Sequence, residues 1–262
     1  MKVESVTEDG LRKIQIIPKK KWMDLDKQYV EGNLVNFCSF PRAGSHWILD
    51  MLDKCTVGIF DTKKGGWRGK IHKTHALHMF KNPTVYLYRH GKDAILSFAK
   101  MQHYKLAVQR RTYDGSFDEK FLRWIILRNQ IPLHWKIHMD HYFQLSNTKI
   151  CYIKYEDVLL NPVKALKTIM MFYGMDVKAL QEHLVDAEIG MVPAQRVSYE
   201  GVEGVEGYLP QLGYVKRGWS LPEERLEMFT DRWKTAPEWT AEVDMMVNYH
   251  IKDTLVKHGY LP

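Results

Sequence analysis

The sequence predicts an α/β fold with a single domain, in which helices flank a central parallel β-sheet. Short apolar segments bounded by glycine or proline alternate with longer segments of helical spacing. No repeat of about 20–50 residues and no low-complexity linker divides the chain. The 262 residues also suit one large domain, since domains average about 150 residues. We therefore expect one domain over residues 1–262.

The strands and helices can be placed along the chain. The predicted strands are short apolar runs and cover residues 34–40, 84–89 and 149–155. The predicted helices follow them and cover residues 46–55, 92–111, 163–173, a segment from Ser220 toward Trp233, and 238–259. Asn161 followed by Pro162 predicts the start of the third helix, and Gly174 predicts its end. Ligands bind beyond the carboxyl ends of such strands, so we expect the site there.

Composition and charge limit the classes of partner. The chain is 45% hydrophobic and 26% charged, which excludes a disordered or fibrous protein. Its net charge of +7 favours an anionic ligand: a nucleotide, a nucleic acid or a membrane surface. No apolar run of about 18 residues exists and the first ten residues contain no apolar leader, so we expect neither a membrane span nor a signal peptide.

The cysteines point to a reducing compartment. Cys38, Cys55 and Cys151 are odd in number, far apart and outside any CxxC motif. A disulfide framework and a thiolate zinc site are therefore not expected, and we expect a cytoplasmic protein.

The first strand leads into a small-residue loop and a helix N-terminus, which together suit a phosphate or sulfate. Arg42 adds a full positive charge, and Gly44 allows a close backbone approach. An ordinary turn capped by Ser45 is an equally open interpretation of the loop alone. No Walker A motif is present, and the second strand ends in Arg89 rather than in a Mg²⁺-binding aspartate.

Two further groups of candidate site residues follow the loop. Lys73 and His75 come shortly before the second strand, while Arg89 ends it and Ser97 lies in the next helix. Arg89 and Ser97 could hold a second phosphate. Taken singly, Arg89 is more simply explained by a surface ion pair with Asp93, and Ser97 by a bond to a backbone carbonyl.

These motifs, in this order, resemble the sulfotransferases that use 3′-phosphoadenosine 5′-phosphosulfate (PAPS). Residues 41–47, Pro-Arg-Ala-Gly-Ser-His-Trp, resemble the family's phosphosulfate loop, Pro-Lys-Ser-Gly-Thr-Thr-Trp. Residues 73–75 match its Lys-Thr-His segment, and residues 89–97 match its Arg-x-x-Lys-Asp-x-x-x-Ser motif for the 3′-phosphate. Residues 155–157 match its Tyr-Glu-Asp, and residues 216–219 resemble its late basic-Gly element.

The resemblance implies a nucleotide-kinase-like fold with a P-loop-like strand–loop–helix for phosphosulfate. The implied reaction is in-line transfer of a sulfuryl group from PAPS to an acceptor hydroxyl or amine, with adenosine 3′,5′-bisphosphate (PAP) as product. It implies a small-molecule, glycan or natural-product acceptor and requires no metal, nucleic acid or membrane span. It leaves the oligomeric state open.

The resemblance also assigns roles to single residues. His75 would be the general base, while Lys73 and Arg42 would neutralise charge on the transferring group. Trp47 and Tyr155 would pack on the adenine. The implied cofactor-binding residues are Arg42, Ala43, Gly44, Ser45, His46, Trp47, Arg89, Ser97, Tyr155, Lys216, Arg217 and Gly218.

The chain departs from the family pattern at three places. Arg42 replaces a lysine, so its role is expected to be electrostatic rather than proton-donating. His46 replaces a threonine, which removes a hydroxyl donor. Trp219 follows Gly218 directly, so the late element is compressed. The segment before Lys73 is also short, which suggests an open pocket for a polar or bulky acceptor.

Other interpretations remain. A P-loop-like nucleotide kinase would need a Walker lysine and Mg²⁺ ligands, and a basic nucleic-acid-binding protein would need a long basic stripe. His72, His75 and His78 recur at every third residue but lack accompanying cysteines or carboxylates, so no metal site is expected. The glycine-rich stretch 201–213 is equally consistent with a mobile lid and with a plain surface loop.

Overall fold

The computed structural model describes residues 35–60, 66–77, 82–109, 113, 115–145, 149–189, 191–193, 214–216 and 230–261. Four parallel strands form the central sheet in the order β2-β1-β3-β4. They are β1 (Val35–Ser39), β2 (Ile71–Thr74), β3 (Thr84–Tyr88) and β4 (Ile150–Lys154). Helices pack on the sheet, which confirms the predicted α/β fold.

The helices follow the strands in the expected alternation. They are α1 (Ser45–Cys55), α2 (Gly91–Tyr104), α3 (Glu119–Asn129), α4 (Ile131–Gln144), α5 (Tyr155–Leu160), α6 (Pro162–Phe172), α7 (Glu182–Ile189), α8 (Arg232–Thr235) and α9 (Ala241–Lys257). Short 3₁₀ turns cover Gly66–Gly69 and Val177–Ala179, and a π-helical turn, Lys105–Gln109, continues α2. A second, antiparallel pair joins β5 (Met191–Pro193) to β6 (Tyr214–Lys216).

Local signals set most helix ends as predicted. The Asn161 side chain accepts from the Lys164 amide at the start of α6, and Gly174 has φ +68° just beyond its end. The last helix begins three residues later than expected, because Thr240 caps it by accepting from the Val243 amide. The predicted capping box at Ser220 lies outside the described residues.

The β2 strand was not predicted, and its composition explains why. Its sequence is Ile-His-Lys-Thr, and only Ile71 is buried. The strand lies at the sheet edge, where polar residues tolerate solvent, so no apolar pattern marks it. Phe37 pairs with Lys73 in the register that aligns β1 with β2.

Side-chain alternation along the strands divides the core in two. Phe37 and Val85 face one cluster, with α1, α6 and the end of α5. Cys38 and Tyr86 face the other, with α2, α3, α4 and α9. Within the described ranges, none of the helices is long and apolar enough to cross a bilayer.

Candidate active site

Four chain segments that carry predicted site residues meet at the carboxyl edge of the sheet. The Arg42–Trp47 loop follows β1 and His75 follows β2. Arg89 follows β3, and Tyr155 follows β4. Because all four strands are parallel, their ends share one edge, as the sequence predicted.

The loop after β1 is held open by two left-handed residues. Arg42 has φ +71° and Gly44 has φ +97°, a region that favours glycine. A Cβ at Gly44 would lie 2.5 Å from Cε2 of Tyr155, so the loop rests directly on that ring. Gly44 itself is the N-cap of α1 and supplies no side-chain cap, so the Ser45-capped turn is wrong. The helix N-terminus thus presents its amides at the loop.

His75 is fixed in one tautomer by its two neighbours. Its Nδ1 lies 2.7 Å from the Ser39 carbonyl oxygen, which can only accept, so Nδ1 carries the proton. The Lys73 ammonium lies 2.8 Å from Nε2 and can only donate, so Nε2 presents its lone pair. The basic nitrogen of His75 therefore faces the side of the site that holds Lys73.

Crowded positive charge shapes the titration of this region. The surrounding protein removes hydration from Lys73, and nearby Arg42 and Arg68 disfavour its charge further, which lowers its pKa to about 8 despite an opposing effect of Cys38. Partial desolvation and the Lys73 ammonium lower the pKa of His75 to about 4, although part of its ring reaches solvent. Desolvation and Lys73 likewise lower the pKa of His46 to about 4. Both histidines are neutral at pH 7.

Arg42 links the loop to the segment after β3. Its Nε donates to the Ser97 hydroxyl at 3.3 Å, so Ser97 is engaged by this side chain and not simply by a backbone carbonyl. Arg89 donates from a terminal guanidinium nitrogen to the Arg42 carbonyl at 3.4 Å. The residues of the two predicted phosphate motifs are thus in direct contact.

Arg89 is not on the surface. Its exposed fraction is 7%, and its guanidinium lies over the Tyr155 ring at 4.5 Å. The Asp93 carboxylate instead accepts the backbone amides of Asp231 and Arg232, each at 2.9 Å. Both residues are buried, so the surface location considered for this pair is wrong, although the Arg89 charge still acts on the Asp93 carboxyl by lowering its pKa against the larger effect of desolvation.

The two predicted adenine partners differ in accessibility. Trp47 is half-buried and meets Tyr155 edge-on at 5.9 Å between ring centroids. Tyr155 is only 5% exposed, packed between Gly44, Trp47 and Arg89. In this structure Tyr155 supports the loop, and Trp47 is the ring with free surface.

The structure adds a contact that sequence reasoning missed. Trp233 in α8 stacks on His90 at 6.1 Å, and the ammonium of buried Lys92 lies 4.0 Å from the Trp233 ring. Lys92 also pairs with Asp244 of α9 at 2.7 Å. The C-terminal helices are thereby anchored beside the segment that carries Arg89. No signal in the sequence predicts this contact, because the burial of Lys92, which requires a partner for its ammonium, is visible only in the structure.

Three predicted residues remain without a described side chain. Lys216 ends β6, but only its backbone is described. Arg217 and Gly218 lie outside the described residues, as do His78 and the glycine-rich stretch 201–213. Among the side chains that the structure describes, no group of three or more His, Cys, Asp or Glu is placed to hold a metal ion.

Comparisons with known proteins agree with this arrangement. The sulfotransferase domain family matches residues 68–192, from the turn before β2 to β5. Sulfotransferase 1A1 of Rattus norvegicus is 29% identical over 215 residues, which cover 64% of this chain and 71% of the relative. Sulfotransferase 1A1 of Mus musculus is 27% identical over 184 residues, covering 56% of this chain and 61% of the relative.

Solved structures of two sulfotransferases also resemble the chain. Mouse sulfotransferase SULT7A1 complexed with PAP aligns with a TM-score of 0.49 at 14% identity, over 87% of this chain and 88% of that one. The sulfotransferase domain from the curacin biosynthetic pathway aligns with a TM-score of 0.42 at 15% identity, over 84% and 97%. Residues 68–192 thus match the sulfotransferase domain family, and the curated relatives that this chain resembles are sulfotransferases.

Proposed function

We propose that the protein transfers a sulfuryl group from PAPS to an acceptor hydroxyl or amine, with His75 as the general base. The observation that carries the proposal is the orientation of His75. Ser39 holds Nδ1–H, and the lone pair on Nε2 accepts from the Lys73 ammonium 2.8 Å away. A base needs this arrangement: one nitrogen anchored and the other available for the acceptor's proton.

The residues present fit a polyanionic donor. Arg42 and Arg68 lie close enough to Lys73 for their charge to add to the desolvation that lowers the Lys73 pKa to about 8. Such a cluster is costly without an anion and is stabilised by one. The amides at the start of α1 provide directed donors at the same place. PAPS, when bound, would supply an activated sulfuryl group and the leaving phosphate.

Each segment then has a separate task in holding the donor. We infer that the loop amides of residues 43–46, with Arg42, hold the 5′-phosphosulfate. Arg89 and Ser97 hold the 3′-phosphate, assisted by Lys216, Arg217 and Gly218. Trp47 packs on the adenine, and Tyr155 supports the loop from below. This mode of binding needs no metal.

Proton transfer at His75 is coupled to Lys73. In the structure Lys73 donates to Nε2, so an acceptor hydroxyl or amine must replace the ammonium there. The displaced ammonium then has its charge free for the oxygens of the transferring group, beside Arg42. Nε2 takes the acceptor's proton, and the Ser39 carbonyl keeps the resulting imidazolium in place. We infer in-line attack, which is supported by the loop and the base following the neighbouring strands β1 and β2.

The acceptor class is inferred from the exposure of His75, and the compartment from the cysteines. Because His75 is exposed, a small molecule, a glycan or a natural product can present a hydroxyl or amine to it. The three cysteines are free thiols, which supports activity in a reducing compartment such as the cytoplasm.

The proposal is tested by following the labelled sulfuryl group. PAPS carrying ³⁵S is incubated with a panel of phenols, alcohols, sugars and amines, without metal. We expect label in at least one acceptor class and an equal amount of PAP. Transfer of the γ-phosphate from ATP, with Mg²⁺ required and no label moved from PAPS, would instead support a nucleotide kinase.

A further inference from the structure

A buried polar cluster lies directly beneath His75. It consists of Cys38 on β1, Tyr86 on β3, and His138, Met139 and Tyr142 on α4, and we call it the α4 cluster. His138 is 4% exposed and the other four are fully buried. Buried polar side chains are costly unless they are bonded, so their partners identify what the cluster does.

The partners are the backbone carbonyls of His75 and Ala76. The Tyr142 hydroxyl donates to the Ala76 carbonyl at 2.5 Å, and the Cys38 thiol contacts the same oxygen at 3.6 Å. The His138 ring donates to the carbonyl of His75 itself. Two consecutive carbonyls at the end of β2 are therefore bonded from the interior.

The tautomer of His138 is set within the cluster. The His75 carbonyl can only accept, so the His138 nitrogen that faces it carries the proton, and Nδ1, 2.9 Å from the Tyr86 hydroxyl, is left as the acceptor. Burial lowers the pKa of His138 to about 3, and nearby His75 and His141 act in the same direction. His138 is therefore a neutral, singly oriented donor at pH 7.

The geometry of α4 places His138 and Tyr142 side by side. His138 and Tyr142 are four residues apart in α4 and so project from the same face. Successive residues 75 and 76 each receive one donor from that face. The backbone is thus fixed where the His75 side chain begins, while Ser39 fixes the ring at its Nδ1 end.

We propose that His138 and Tyr142 are positioning residues that hold the His75 backbone, so that its Nε2 lone pair stays directed at the reacting groups. This rests on the proposed function of His75 as the base. Neither residue touches the reacting atoms. The effect is on orientation, and small displacements of a reacting group are known to cost as much as about 100-fold in rate.

The test uses variants that remove one hydrogen bond and keep the packing. Tyr142→Phe removes only the hydroxyl. His138→Leu removes the donor, while His138→Gln keeps an N–H at a similar reach. Ile131→Leu changes a buried side chain of the same helix that lies outside the α4 cluster, and it is the matched control.

The first readout is the tautomer of His75, measured by ¹⁵N NMR of histidine-labelled protein. We expect one Nδ1–H tautomer in the wild type, His138→Gln and Ile131→Leu. We expect a mixture of tautomers, with broadened ring signals, in Tyr142→Phe and His138→Leu. A single unchanged tautomer in both of these variants would overturn the proposal. Tyr142→Phe carries the test if His138→Leu does not fold.

The second readout separates orientation from general damage. We expect kcat for sulfuryl transfer to fall about 10-fold or more in Tyr142→Phe and His138→Leu, with the Kd for PAP unchanged. Recovery of kcat in His138→Gln is also expected. An unchanged kcat in both variants would overturn the positioning role. Absence of transfer in the wild type would overturn the proposed function alone, because the tautomer measurement does not depend on turnover.

Discussion

The two faces of the central sheet support the site by different means. On the face of α1 and α6, the loop rests on aromatic and aliphatic packing, with Gly44 against Tyr155 and Arg89 stacked on the same ring. On the face of α4, the end of β2 rests on buried hydrogen bonds from His138 and Tyr142. Packing on the first face shapes the loop after β1, whereas hydrogen bonds on the second face fix the orientation of His75.

The difference follows from what each half of the site must do. Anion binding by backbone amides needs a correct loop shape, and close packing provides that. A base needs one side chain aimed at one atom, and directional hydrogen bonds provide that better than packing does. We therefore expect changes on the loop side to alter nucleotide affinity and changes on the β2 side to alter turnover.

The largest effect is expected from His75→Ala. It removes the base, so turnover should fall about 10²–10⁴-fold, the usual contribution of such catalysis. The Kd for PAP should change little, and steady-state kinetics with calorimetry would show both. His72→Ala is the matched control, because His72 lies on β2, three residues before His75, and contacts Asn36. A His75→Ala variant that keeps more than about a tenth of the rate would rule out the base role.

Arg89→Ala should show the opposite pattern. A buried guanidinium that binds phosphate contributes about 1.5–3 kcal/mol, so the Kd for PAP should rise roughly 10- to 100-fold. The rate at saturating PAPS should fall much less. Titration calorimetry measures the Kd directly. Equal losses in both constants would show that the division between the two faces is wrong.

Gly44→Ala tests the close packing of the loop against the Tyr155 ring. The added Cβ would enter a 2.5 Å contact at a φ of +97°, and we expect destabilisation of about 1–3 kcal/mol with weaker PAP binding. Gly174→Ala is the matched control, since its φ is +68° but nothing lies within 4 Å of the new Cβ. Both variants are compared by urea unfolding and PAP titration. Gly174→Ala introduces backbone strain alone, whereas Gly44→Ala adds the contact with Tyr155 to that strain. Equal PAP affinities in the two variants would contradict the account.

The smallest effect is a dependence of stability on pH. His138 has a folded pKa of about 3 against an ordinary value of 6.5, so the unfolded chain binds more protons between those values. Stability is therefore complete above pH 6.5 and falls as pH drops toward 3. Between pH 7 and pH 5, His138 should account for up to about 2 kcal/mol. Urea unfolding at both pH values should show a smaller difference in His138→Gln, and an equal difference would contradict the burial of a neutral His138.

Much of the fold could be predicted because its signals are local. Apolar runs mark β1, β3 and β4, and Asn161 and Gly174 mark the ends of α6. The β2 strand was not predicted, because an edge strand of four mostly polar residues has no apolar pattern. The start of α9 was displaced because Thr240, two residues beyond Glu238, provides the cap.

The motif order predicted which residues lie close together, but not which residues support them. Motif order identified Arg42, Lys73, His75, Arg89 and Ser97, and the structure brings them to one edge of the sheet. Their supports come from distant segments: His138 lies more than sixty residues from His75, and its tautomer depends on Tyr86. No spacing in the sequence encodes such contacts, since they arise only when α4 packs on the sheet.

The central claim is that this edge of the sheet binds a 3′-phosphorylated adenine nucleotide for sulfuryl transfer. Calorimetric binding of PAP against ATP, in buffer without metal, tests it most directly. We predict tight binding of PAP and weak binding of ATP, because Arg89 and Ser97 would engage the 3′-phosphate that ATP lacks. Equal binding, or binding that favours ATP and requires Mg²⁺, would contradict the claim and support a nucleotide kinase.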